Sequence, residues 1–183
     1  MRAARYLVFA VLLTVSGTAA AVEGHAYWGI GYMHTNFDFD GGQTYHPEGA
    51  AAKLGYDLVG QRVAVEVHLA STHDDRKGVA GIDTRLSVTY AAAAFLRYNV
   101  VALDNFRLYA MGGYGYAKVH YEVAGAGTTN DSSSGAAYGV GFELYGNDTS
   151  AISVDYLRYV KDGDLNGAKY QLNSVNIGYV HHF

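Results

Sequence analysis

The chain has 183 residues and a formal charge of −4, with 17 acidic and 13 basic side chains. That balance excludes the basic surface a nucleic-acid partner requires. There is no cysteine, so a disulfide scaffold is excluded, and 23 glycines and 17 tyrosines with no long helical pattern point to an all-β chain.

The first predicted element is a leader. Arg2 and Arg5 precede an apolar run from Leu7 to Leu13, and small residues follow to Ala19, Ala20 and Ala21. A basic start, a short apolar stretch and an A-x-A site make a secretory signal peptide. The run is shorter than the ~20 residues a spanning helix needs. Residues 1–21 are therefore expected to be a cleaved signal peptide, and 22–183 one domain exported by the general secretory route. Loss of Arg2 and Arg5 makes that domain more acidic still. No later segment approaches 18 unbroken apolar residues, so no helix is expected to cross a membrane.

Segments of alternating character then follow at about 25–36, 49–58, 62–71, 84–98, 106–120, 135–145, 150–160 and 169–183. Alternation with a period of two is the signature of a strand with two different faces. In "KLGYDL", Leu54, Tyr56 and Leu58 oppose Lys53, Gly55 and Asp57. In "VAVEVHLA", Val63, Val65, Val67 and Leu69 oppose Ala64, Glu66, His68 and Ala70. Tyr114 and Tyr116 oppose Gly113 and Gly115, and Tyr138, Val140, Phe142 and Leu144 oppose Gly139, Gly141 and Glu143. One face is apolar and aromatic throughout. The other mixes small residues with isolated charges.

The connections alternate too. Long polar ones are expected at 37–48, 72–83, 121–134 and 161–168, and short ones at 57–61, 99–105 and 146–149. An up-and-down meander produces this when all long loops share one rim. The pattern predicts an eight-stranded antiparallel up-and-down transmembrane β-barrel, with short periplasmic turns and long extracellular loops. A soluble barrel would have to pack Tyr56, Tyr98, Tyr114, Tyr116, Tyr138 and Phe142 into an interior that eight strands barely fill. Tyrosines on an apolar outer face suit the aromatic girdles of a bilayer instead.

The remaining face then lines the lumen, and it carries Lys53, Glu66, Arg97, Arg107, Glu143 and Asp155. Unpaired charges in so narrow a space are costly, so these six are expected to form a structural network of ion pairs. With Val59 and Gly60 as the central residues of the first short turn, Lys53 lies directly opposite Glu66, and Tyr56 opposite Val63.

The last segment, "SVNIGYVHHF", alternates Val175, Ile177, Tyr179 and Phe183 with smaller or polar residues. It resembles the C-terminal signal that outer-membrane proteins present to the barrel-assembly machinery, with His181 where an apolar or aromatic residue is usual. "YWGIGY", "AKLGYDL", "LYAMGGYGYAKV", "YGVGFEL" and "SVDYLRY" resemble the opacity-protein-like and outer-membrane-protein-A-like β-barrel domains. The resemblance implies a bacterial outer-membrane location, a lipid and lipopolysaccharide environment, and a monomer. It also implies recognition of Val175, Ile177, Tyr179 and Phe183 by the assembly machinery.

Chemistry finds little purchase. The paired glycines Gly29/Gly31, Gly113/Gly115 and Gly139/Gly141 are not followed by helices, so they are no phosphate loops. A lipid A-modifying enzyme of the deacylase kind needs a His-x-Ser pair, and His68 is followed at that spacing by Ala70; Ser71 and His73 stand in the reverse order. His46, His73 and His120 near the long-loop rim lack ligand spacing. No enzyme activity, cofactor or metal is expected. The expected role is structural or surface interaction (adhesion-like) through the extracellular loops. The ligand stays open, with a narrow pore as the alternative.

Overall fold

The computed structural model describes residues 25–39, 44–59, 62–79, 82–125, 127–165 and 168–183. The leader expected at 1–21 lies outside them. Ten strands are present among the described residues: β1 (Ala26–Phe39), β2 (Thr44–Tyr45), β3 (Glu48–Val59), β4 (Val63–Thr72), β5 (Asp75–Val79), β6 (Ile82–Leu103), β7 (Phe106–Val123), β8 (Gly127–Asn147), β9 (Ser150–Leu165) and β10 (Ala168–His182). Eight of them, all but β2 and β5, pair in chain order, and β10 returns to β1. The closing ladder is antiparallel and runs unbroken from Tyr27↔His182 to Phe39↔Tyr170. Closure pairs the backbone groups of every wall strand where lipid offers no partner.

The alternation decides the two faces. Ile30, Leu54, Val65, Leu69, Leu96, Val140, Ile152 and Ile177 point outward and are exposed, while Ala64, Glu66, His68 and Ala70 on β4 are buried. Tyr32, Tyr90, Tyr114 and Tyr138 are also exposed on the outer face. Tyr90 stacks on Tyr116 at 5.6 Å.

The first hairpin corrects the expected register. Lys53 faces His68, Gly55 faces Glu66 and Tyr56 faces Val65, with a register shift between Asp57 and Val59. The partners on β4 move on by two positions, which leaves the parity of both faces intact. The placement has a steric reason: a β-carbon at position 55 would strike the Tyr27 ring. Glycine opposite Glu66 lets that phenol reach the carboxylate.

The long loops are also corrected. Most of 121–134 is strand, pairing from His120↔Asn130 to Val123↔Gly127. The 72–83 stretch contains β5, which folds onto β6 from Asp75↔Leu86 to Val79↔Ile82. β2 folds back on β1 through Phe37↔Tyr45, and β9 and β10 extend to Leu165 and from Ala168. Above the bilayer both faces meet water or one another, so these ladders need no apolar alternation. Gly125 and Gly127, with φ of 82° and 108°, close the β7–β8 hairpin in a left-handed conformation.

The interior has two layers. Toward the short turns it is ionic. Toward the raised hairpins it is apolar, with Met33, Phe37, Tyr45, Leu86, Val88, Val119, Leu157, Tyr159, Tyr170 and Leu172 in one buried cluster.

Candidate functional site

Lys53, Glu66, Arg97, Arg107, Glu143 and Asp155 are all buried inside the barrel. The inward parity of β3, β4, β6, β7, β8 and β9 puts them there. Arg97 is the hub. Its Nη1 donates to Glu66 Oε1 at 2.8 Å and to Glu143 Oε1 at 2.8 Å, Nη2 donates to Glu143 Oε2 at 2.9 Å, and Nε donates to Asn99 Oδ1 at 2.8 Å. The guanidinium lies 3.6 Å from the centroid of the Tyr109 ring. A planar donor fork with a bidentate carboxylate and an aromatic face is the arrangement in which a buried arginine is best satisfied.

Lys53 is drawn across the lumen, not along its own hairpin. Its Nζ is 3.3 Å from Asp155 and 3.7 Å from Glu143, and Tyr109 donates to the same Asp155. Glu66 is held by Arg97, by Tyr27 at 2.6 Å and by His68 at 2.6 Å. Nearer the short turns, Arg107 stands 3.6 Å from Asp57 and 4.8 Å from the Tyr145 ring centroid, and Tyr145 contacts both Glu143 and His182 at 2.9 Å. The expected pairing of Lys53 with Glu66 gives way to a network that joins six strands, in which Lys53 bonds across the lumen to Asp155 and Glu143 while Glu66 is held by Arg97, Tyr27 and His68.

Tyr27, Asp57, Tyr109, Tyr145 and His182 are not among the six expected network residues, and His68 is weighed in the sequence only as half of a His-x-Ser pair. All but Tyr145 are buried. The inward parity already visible in each strand is the signal that marks them.

At the other end of the lumen, aromatic rings close the mouth. Phe37 stacks on Tyr170 at 4.3 Å, and Phe39 meets Tyr45 edge-on at 6.2 Å and lies tilted against Tyr121 at 6.4 Å. The Lys77 ammonium lies over the Tyr45 ring and donates to the Thr44 carbonyl. Burial and the Tyr45 hydroxyl push the Tyr121 phenol up to about 12. Charge below and rings above leave an interior built as a filled core.

The remaining residues singled out in the sequence do not converge. His68 is inside, bound to Glu66, whereas Ser71 is exposed and donates to the Thr89 carbonyl at 3.0 Å. His73 gives its backbone N–H to Glu48. His46 stacks on His34 at 5.7 Å and contacts Asn36, and His120 contacts Asn130. Among the described residues no three of His, Asp or Glu are grouped to hold a metal ion. Ile177, Tyr179 and Phe183 are exposed on the outer face, and Val175 is half-buried. The Phe183 N–H donates to the Ala26 carbonyl at 3.0 Å.

Residues 7–183 match the family model for the outer membrane protein β-barrel domain. No curated protein sequence matches the chain. Among solved structures, Ail, the attachment invasion locus protein of Yersinia pestis, superposes with a TM-score of 0.63 at 22% identity, covering 88% of this chain and 99% of Ail. Neisserial surface protein A superposes with a TM-score of 0.63 at 14% identity over 86% of this chain and 97% of that one. The outer membrane protein OprG from Pseudomonas aeruginosa gives 0.62 at 15% identity over 88% and 97%. At these identities the likeness is one of fold.

Proposed function

The chain belongs to the outer membrane protein β-barrel domain family, and on that footing we propose that this barrel acts by display, holding its raised hairpins outside the cell for surface interaction. One observation carries the reading. The lumen is filled by paired charges and packed rings, while the β7–β8 ladder continues from the outward Tyr138 level to Gly127, well past the apolar band. Material is invested in a rigid platform above the membrane, where recognition is most often found. Ail is by its name an attachment protein, and it has been solved in complex with the heparin analogue sucrose octasulfate. Those are properties of Ail, and they make adhesion the first activity to test here.

The test compares cells lacking the protein, cells restored with it, and cells carrying a form trimmed in both raised hairpins. The trim joins Lys77 to Thr84 and His120 to Asn130, which are paired residues, through short Asn-Gly turns. Adhesion to heparin-coated and epithelial surfaces should fall to the deletion level in the trimmed strain at equal membrane abundance. Equal adhesion of all three strains would refute display. Planar-bilayer recordings of the purified barrel should show no steady conductance, and lipid A mass spectra should be the same with and without the protein.

Two biogenesis roles belong to the same reading. Residues 1–21 act as the leader removed on export. Val175, Ile177, Tyr179 and Phe183 form the outward stripe that the assembly machinery recognises, so deleting Phe183 should lower membrane yield far more than deleting Thr129.

A further inference from the structure

The outer wall of the barrel is uneven. On β1 the outward residues Ile30 and Tyr32 are exposed, and on β4 so is Leu69. Between them β3 turns out only Ala50 and Ala52, which are exposed too. The ladders set these residues in two rows: Tyr32, Ala50 and Ser71 above, Ile30, Ala52 and Leu69 below. Small side chains flanked by an isoleucine, a tyrosine ring and a leucine make a groove along β3, lined by Ile30, Ala50, Ala52, Leu69 and Ser71. Leu54, exposed and next on the same face of β3, closes its lower end. Beyond Leu69 the floor drops again, because Leu69 is paired with Ala92 and Val67 with Ala94 on β6. Leu69 is therefore a ridge between two shallow beds.

The upper end of the groove carries charge. Glu48 is the next outward residue of β3 above Ala50, one row above Tyr32, and it is exposed. Its Oε1 accepts from His34 Nδ1 at 3.2 Å, and the Tyr32 hydroxyl donates to the same carboxylate. Both partners come from β1 and fix the carboxylate at the head of the groove. A carboxylate offers about four acceptor positions, and these bonds leave the others for a further donor. Tyr32 belongs to the upper ring of outward tyrosines. Glu48 then lies at headgroup depth, and Ala50 and Ala52 at the depth of the acyl chains.

We propose that this groove holds a phospholipid with a primary ammonium headgroup, a phosphoethanolamine lipid, whose ammonium rests on Glu48. One acyl chain lies on Ala50 and Ala52, and the other crosses the Leu69 ridge to Ala92 and Ala94. Shape alone gives little preference, because acyl chains are as apolar as leucine and only packing is gained. The headgroup decides. Its ammonium brings donors and positive charge to a carboxylate with acceptor positions to fill. A lipid whose headgroup carries only negative charge, a phosphoglycerol lipid or lipid A, sets like charge against Glu48. A second copy is a poorer occupant as well. In a two-fold dimer across this face the two Glu48 carboxylates would stand at one depth and repel.

The chain has a single tryptophan, and it reports on this site. Trp28 is the outward residue before Ile30 on β1 and is paired with Leu54 at the foot of the groove. Bromine atoms on an acyl chain quench tryptophan on contact. The test places the purified barrel in phosphocholine vesicles that contain equal fractions of a dibrominated phosphoethanolamine or a dibrominated phosphoglycerol lipid, and compares the quenching of Trp28. The phosphoethanolamine lipid should quench as if bound about three-fold more tightly, the fold-change expected of one exposed ion pair. Glu48→Gln should remove the difference. Ala52→Leu fills the groove and should lower quenching by the phosphoethanolamine lipid to the phosphoglycerol level. Both positions are on the exposed outer face, and a heat-shifted gel mobility shows that each variant is folded. Equal quenching by the two lipids in the unaltered barrel would overturn the site whatever the variants do. A preference that survives Glu48→Gln, or quenching unchanged in a folded Ala52→Leu barrel, would also overturn it. Unlabelled lipid A that relieves the quenching better than unlabelled phosphoethanolamine lipid would give the groove to lipid A. Weak quenching by both lipids in a barrel that crosslinks as a dimer would give it to a second copy.

Discussion

The lower and upper halves of the same barrel are filled by opposite means. Below, Arg97, Lys53, Glu66, Glu143 and Asp155 satisfy one another across the lumen. Above, Phe37, Tyr45, Leu86, Val119, Tyr159 and Tyr170 pack as they would in a soluble core. The lower half lies inside the bilayer, where the outer face is already apolar, so an inward face with charges keeps the two faces distinct during insertion. The upper half stands in water and folds as an ordinary hydrophobic interior. The contrast predicts that the lower half is brittle toward loss of a single charge and the upper half toward loss of volume.

Arg97→Met should break the lower half and have the largest effect. It leaves Glu66 and Glu143 buried without their shared cation, and losing one partner of a buried pair costs about 3–5 kcal/mol. Urea unfolding in lipid vesicles should show that loss, and bilayer recordings should show a rise in conductance as water enters. Neutralising both carboxylates as well, with Glu66→Gln and Glu143→Gln, should recover much of it. Additive losses from the three changes would mean that the groups do not act as one network.

Phe37→Ala tests the upper half. Phe37 is fully buried and stacked on Tyr170. Truncating such a ring costs about 3 kcal/mol, the lower end of the range for buried Phe. The strain falls on the mouth, so limited proteolysis should cut the raised hairpins faster while the membrane-embedded wall stays protected. Conductance should not change, because the ionic layer below remains whole. An Arg97-like rise in conductance would mean that the rings, not the charges, close the lumen.

The contrast explains which parts of the fold the sequence displayed. Val63, Val65, Val67 and Leu69 against Ala64, Glu66, His68 and Ala70 could be assigned to faces at once, because lipid outside and charge inside enforce a period of two. Register was not visible. A register shifted by two residues keeps every face correct, so parity does not tell Lys53 opposite Glu66 from Lys53 opposite His68. The raised hairpins read as loops because TTNDSSS has water on both sides and no face to mark. The choice of Glu66 and Glu143 by Arg97 depends on residues 31 and 46 positions away, which the pairing of β4 with β6 and the curvature of the wall toward β8 bring within reach. β9 turns inward at two consecutive buried residues, and that turn did leave a trace. Tyr159 and Val160 are two large residues in succession, where strict alternation would put a small or polar one.

The smallest effect, and the sharpest form of the comparison, lies in two ion pairs of nearly equal length. Arg85 Nη1 stands 3.8 Å from Glu122 on the raised hairpin wall, and Lys53 Nζ stands 3.7 Å from Glu143 in the lumen. Their side chains differ in setting, 42% and 43% exposed for the first pair against 6% and 0% for the second. Coulomb attraction at equal distance scales inversely with the local dielectric, and water beside Arg85 screens it. An exposed pair of this kind contributes at most about 1 kcal/mol. Arg85→Ala should therefore shift urea unfolding by less than that, and raising the salt concentration should erase the shift. Lys53→Met removes a charge that water cannot replace, since Asp155 and Glu143 stay buried, and its cost should exceed that of Arg85→Ala several-fold at any salt concentration. Equal costs for the two would mean that water reaches the lumen as freely as the rim, and that the ionic layer is a hydrated channel lining instead of a closed core.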